Sequence, residues 1–108
     1  MAEQKSSFQN LVNNSDVPIL VDVYSETCGP CIAMKPVLKD VKQRFGDNLR
    51  IIKINGPKNM KFMQEFQIQA FPTLLLFENG KIVWSRMGYI ATGMLEKMIK
   101  SNVKLQNA

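Results

Sequence analysis

The 108-residue chain has two cysteines, set three positions apart as Cys28-Gly29-Pro30-Cys31, and no histidine. A pair so spaced can cycle between dithiol and disulfide, close a structural bridge, or supply half of a metal site. A bridge over so short a loop would remove little entropy from the unfolded chain. Structural zinc wants four N or S ligands, so two thiolates would need a second chain to bring its own pair, and an iron–sulfur dimer would need the same. Redox exchange needs no further ligand, only a sulfur that is ionised near neutral pH. The lack of histidine removes Ser/His and Cys/His catalysis and any imidazole pH switch.

The elements around the pair are placed to ionise it. Pro18 to Tyr24 is β-branched and almost continuously apolar, as a central strand covered on both faces must be. After Cys28, the residues Met34, Leu38, Val41 and Phe45 recur four, three and four apart, the spacing of a long amphipathic helix that Gly46 should end with a left-handed cap. Pro36 lies inside it and should kink it. The cysteines therefore open a helix, where free backbone N–H groups and the positive end of the dipole favour thiolate. Cys28 is the expected nucleophile. Cys31, one turn on, can share its face and close the disulfide with little backbone movement.

Two charged residues interrupt apolar strands. Asp22 sits within Ile19 to Tyr24, where burial should raise its pKa and leave a carboxyl able to take the proton of Cys31. Lys53 interrupts Ile51, Ile52 and Ile54. If the two strands are neighbours, its ammonium can bias Asp22; the alternative is a stem along the surface with its head in water.

The remaining pattern completes an α-β-α-β-α-β-β-α order. Ser6 to Asn14 carries Phe8, Leu11 and Val12 at helical spacing, with a serine at its start. Leu49 to Ile54 is a second apolar strand. Asn55-Gly56-Pro57 breaks the chain and places Pro57 in the first turn of a helix whose Phe62 and Phe66 share a face. Thr73 to Phe77 and Lys81 to Met87 are apolar strands joined through Asn79-Gly80, a strong hairpin signal. A last helix from near Thr92 turns Leu95, Met98, Ile99 and Val103 inward. The first two strands should be parallel through a right-handed crossover, the last two antiparallel, in one mixed sheet with helices on both faces.

Composition bounds the function. One domain over 1–108 is expected from the length. Fourteen Lys and Arg against nine Asp and Glu give a formal charge of +5, which favours acidic partners. The charges are scattered, with no aromatic-basic RNA motif, so nucleic acid is not an expected partner. Lys35, Lys39 and Lys42, and Lys97, Lys100 and Lys104, make stripes that read as solvated helix faces. The seven methionines read mostly as core filler. No apolar stretch reaches the roughly 18 to 20 residues of a membrane span, and Met1 to Ser7 is polar rather than a signal pattern, so a soluble, cytoplasmic protein is expected.

A C-x-x-C beside a strand-helix-strand pattern is a thioredoxin-like signature, and the chain resembles the thioredoxin family over nearly its whole length. The resemblance rests on Val21-Asp22-Val23, Cys28-Gly29-Pro30-Cys31, Pro36, Lys53-Ile54-Asn55, Phe71-Pro72-Thr73-Leu74-Leu75-Leu76-Phe77, Asn79-Gly80 and Gly88. It implies the thioredoxin fold, an α/β architecture with a central mixed sheet of about four strands, five if an N-terminal edge strand forms, flanked by about four helices. It also implies reduction of disulfide-containing protein substrates without a bound cofactor or metal, by a monomer recycled by a thioredoxin reductase that draws on NADPH through flavin. Asp22 matches the position assigned the proton transfer. Pro72 matches a cis proline packed on the cysteines, the backbone before it pairing with substrate, and Phe71, Gly88 and Tyr89 would complete that groove with Thr27, Gly29 and Pro30 on its rim. Two departures stand out. Thr27 replaces the usual tryptophan, leaving a smaller and more polar rim, and Tyr24 stands where a second tryptophan is common.

The expected function is therefore a protein disulfide reductase working through Cys28 and Cys31, with Asp22 and Lys53 in support. No histidine or other cation lies between the cysteines to stabilise the thiolate further, which favours the reducing direction. The alternatives are a dithiol oxidase or isomerase of an exported compartment, and a non-catalytic binding subunit that uses the fold's groove.

Overall fold

The computed structural model describes residues 7–105. The expected helix start at Ser6, and any edge strand formed by residues 1–6, lie outside the described residues. Four strands, β1 (Ile19–Tyr24), β2 (Arg50–Asn55), β3 (Thr73–Glu78) and β4 (Lys81–Met87), form one sheet in the order β2-β1-β3-β4. β1 runs parallel to β2, which it reaches through the long helix α2 (Gly29–Phe45), and antiparallel to β3. β3 and β4 form the hairpin, with Asn79 and Gly80 both at positive φ, 54° and 81°.

β1 and β3 are central, and both are buried from their first residue to their fifth. Their period of two sends Ile19, Val21, Val23, Leu75 and Phe77 to one face, beneath helices α1 (Ser7–Asn13) and α3 (Met60–Glu65). Leu20, Leu74 and Leu76 go to the other, where Met34, Leu38, Val41 and Phe45 of α2 and Leu95 and Ile99 of α4 (Thr92–Asn102) cover them. Phe8 ties the first layer together. Its ring meets Phe62, Phe77 and Phe66 edge-on at centroid distances of 4.9, 5.3 and 5.8 Å, the favoured aromatic geometry. In the second layer Arg44 of α2 pairs with Glu96 of α4, and the Thr92 hydroxyl donates to Asp40 at 3.3 Å.

Four expectations need correction. Pro57 is not in the first turn of α3, which begins at Met60 after a turn closed by Asn59 N–H to Gly56 O at 2.8 Å. Gly46 has a positive φ of 55° but a ψ of −131°, so it opens into a 3-10 turn rather than forming a left-handed cap, while its N–H still satisfies Lys42 O. β4 is a largely exposed edge strand of the sheet, with Ile82 and Val83 open to solvent. Met34 is fully buried, but Met60, Met87 and Met94 are exposed and so are not core filler.

Candidate active site

The chain leaves the C-terminal end of β1 at Tyr24 and enters α2 within five residues, so the apolar run of β1 fixes where the helix begins. Cys28 is the N-cap of that helix, in extended conformation at φ −104° and ψ 113°. Gly29 and Pro30 occupy the first turn, where a proline costs nothing because its missing N–H would have had no partner. The free N–H of Cys31 points back and donates to Cys28 Sγ at 3.1 Å. A sulfur receiving a backbone N–H at a helix start is held where negative charge is favoured. The two cysteines form a disulfide, with a Cα–Cα distance of 5.2 Å. They differ in access: Cys28 is partly exposed, whereas Cys31 is buried.

Behind Cys31 lies a cavity of about 420 Å3, lined also by Asp22, Lys53, Tyr24 and Glu26. Asp22 reaches it from β1 and Lys53 from its register partner on β2, so the two side chains share a sheet face. The Asp22 carboxyl is buried, and its Oδ1 has no hydrogen-bond partner among the described residues. Burial pushes its pKa up to about 6, and the nearby Lys53 charge, acting the other way, only partly offsets it. Lys53 itself is exposed, so its stem crosses the apolar surface while its charge still reaches the carboxyl. The arrangement offers a proton-accepting oxygen beside the buried cysteine's cavity.

On the other side of the disulfide, the Phe71 carbonyl oxygen lies 3.5 Å from Cys28 Sγ. Phe71-Pro72 is a cis peptide, and Pro72 is buried. Gly88, at a φ of 89°, donates its N–H to Pro72 O at 2.7 Å, which joins the end of β4 to this loop. Tyr89 is exposed, and its carbonyl accepts from Arg86 at 3.2 Å. Thr27 is exposed in the loop before Cys28, with its N–H on Ser25 Oγ at 3.4 Å.

The chain belongs to the thioredoxin family. The family's sequence model, described as Thioredoxin, matches residues 1–101. The chain is 36% identical over 100 residues to Thioredoxin Y, chloroplastic, from Oryza sativa subsp. japonica, spanning 93% of this chain and 60% of that protein. It is 34% identical over 98 residues to the thioredoxin of Haemophilus influenzae, spanning 91% of this chain and 92% of that one. The chain thus covers about 60% of the length of the chloroplastic relative and nearly all of the bacterial one. Among solved structures, thioredoxin NaTrxh from Nicotiana alata superposes with a TM-score of 0.80 at 32% identity, covering 90% of this chain and 83% of that one. Thioredoxins are thiol-disulfide oxidoreductases, and Cys28 and Cys31 are the C-x-x-C pair of this thioredoxin-family chain, at disulfide distance.

Two supports of this thioredoxin site have no clear signal in the sequence. Glu26 accepts from Asn55 Nδ2 at 3.0 Å and pairs with Lys58 at 3.5 Å, clamping the loop before Cys28 to the turn after β2. Gly56 in that turn is buried against the Phe71 ring, and a methyl there would run into the ring and sit 2.8 Å from the Met63 sulfur. The Asn-Gly-Pro run marks only a break in the chain. Nothing in it foretells that an aromatic ring from the loop before β3 packs on the glycine. Gly56→Ala is expected to destabilise the protein by about 1 to 3 kcal/mol through overpacking. Gly93→Ala in α4, which meets nothing within 4 Å, should be neutral or stabilising, and urea unfolding of both variants checks the contrast.

Proposed function

We propose that this thioredoxin-family chain is a reductant of protein disulfides. Cys28 thiolate attacks one sulfur of the target disulfide, forming a Cys28–target bond and expelling the other target sulfur as thiolate. Cys31, deprotonated by Asp22, then attacks Cys28 Sγ; the Cys28–Cys31 disulfide forms and the second target thiolate leaves. Two electrons pass from the dithiol to the target, and two protons balance the thiols produced. Lys53 holds Asp22 near the point where it can accept a proton at neutral pH. The backbone at Phe71, before Pro72, pairs with the target as a short added strand, with Thr27, Gly29, Pro30, Gly88 and Tyr89 around it.

The observation that carries this reading is the Cys31 N–H to Cys28 Sγ hydrogen bond at the start of α2, with Cys28 accessible and Cys31 covered. It supports a division of labour between an attacking and a resolving sulfur. A flavin-containing thioredoxin reductase using NADPH returns the electrons, and the protein works as a cytoplasmic monomer. The test is NADPH oxidation with a thioredoxin reductase and a disulfide-bonded protein as acceptor. The native chain is expected to support turnover and Cys28→Ser to give none. Equal rates for the two would refute the reading.

A further inference from the structure

We propose that the groove between α2 and the outer edge of β2 is a docking site for an acidic segment of a protein partner. The groove measures about 420 Å3. Lys35, Lys39 and Lys42 enter it from α2, and Arg50 and Lys53 from β2, over an apolar floor of Leu38 and Ile51. No carboxylate lines it. Lys42 gives its ammonium to the Gly46 and Leu49 carbonyls at 2.7 Å each, and none of the five cations forms a direct salt bridge among the described residues, although the Lys53 charge also acts on Asp22 in the neighbouring cavity. The three helix lysines are exposed, as the sequence reading of a solvated face expects, and the fold also sets them against a basic strand edge.

Several features select the occupant. Five converging positive groups around two apolar side chains fit a segment that alternates carboxylates with an aliphatic residue. β2 is an edge strand whose outer backbone groups pair with no strand among the described residues, so an extended chain can add hydrogen bonds there. The lining holds no aromatic ring on which a base could stack, which favours an acidic polypeptide over single-stranded nucleic acid. The groove also adjoins the cavity behind Cys31, since Lys35 and Lys53 line both. A docked segment therefore holds its protein beside the exchanging disulfide. That last consequence rests on the reductase reading, whereas the docking itself does not.

The test measures binding to the oxidised protein, without turnover, so an inactive exchange reaction and an empty groove are separate results. The probes are a short fluorescent peptide of alternating glutamate and valine, its glutamine counterpart, and a single-stranded deoxyoligonucleotide of equal charge. Lys39→Glu/Arg50→Glu is expected to weaken binding of the glutamate peptide by about tenfold or more. The milder Lys39→Gln/Arg50→Gln should weaken it less, in the same direction. Lys97→Glu/Lys104→Glu makes the same change in net charge on α4 and the segment just after it, where Lys104 lies beyond the helix end, and should change binding by less than about twofold. Reduction of a small aromatic disulfide by the dithiol form should be unchanged in all three variants. Equal losses in the two charge-reversed proteins would overturn the proposal, as net charge alone would then explain binding. Equal binding of the two peptides, or tighter binding of the oligonucleotide, would overturn it as well.

Discussion

Replacing Cys31 by serine is expected to stop the reaction halfway, leaving the target covalently bound to Cys28. The first attack needs only the Cys28 thiolate at the start of α2. Its resolution needs the second sulfur one turn away, at a Cα–Cα distance of 5.2 Å. With that sulfur gone, release depends on thiols from solution. Oriented intramolecular groups reach effective molarities on the order of 10^5 M or more, so turnover at millimolar thiol should fall by several orders of magnitude. Intact-mass measurement and non-reducing gels should show a stable one-to-one adduct in Cys31→Ser and none in Cys28→Ser. An adduct in the Cys28 variant instead would reverse the assignment of attacking and resolving sulfurs.

Asp22→Asn should make the protein more stable and slower. The Asp22 pKa is raised from 3.8 to about 6, with burial as the main cause and Lys53 opposing. The folded state therefore binds this proton more tightly than the unfolded state does. Between about pH 4 and pH 6 the unfolded carboxyl ionises first, so stability falls as pH rises, and the full penalty is present above the folded pKa. At about 1.36 kcal/mol per unit, the asparagine variant should gain roughly 2 to 3 kcal/mol at pH 8, a gain that disappears below about pH 4. Urea unfolding of the oxidised protein at the two pH values measures it; a gain of equal size at both would show that ionisation is not its source. In the same variant, the resolving step should slow by on the order of 10^2-fold, the lower range of general base catalysis. Lys53→Met should move the Asp22 titration further up, because it removes the charge that lowers it.

Where hydrophobic pattern decides structure, the sequence was a sufficient guide. The nearly continuous apolar run Ile19 to Tyr24, broken only by Asp22, and the unbroken run Thr73 to Phe77 could be satisfied only at the centre of the sheet, and that is where β1 and β3 lie. The position of Cys28 followed in turn, since the end of a buried strand and the start of the α2 stripe leave it one place to be. Asp22 was legible for the same reason: a carboxylate in such a run has to be buried. What escaped depended on partners distant in sequence. The apolar residues of β4 gave no sign that they belonged to an edge, because edge and centre differ by what packs on them rather than by composition. Gly56 looked like a turn residue until Phe71 packed on it from 15 positions away. Glu26, Asn55 and Lys58 give no sign of a clamp in sequence and form one only once β1 and β2 are side by side, with Tyr24 paired to Asn55. The lysines of α2 likewise became part of a groove only when Arg50 and Lys53 were set opposite them.

Titrating the two thiols of the reduced protein tests the central claim most directly, by following the pH dependence of alkylation at each cysteine by mass. Cys28, capping α2 and receiving the Cys31 N–H, should ionise well below the roughly 8.5 of a free cysteine. Cys31, buried beside the Asp22 carboxyl, should ionise above Cys28. A Cys28 midpoint at or above that of a free cysteine would contradict the account, because the helix would then be giving the attacking sulfur no help.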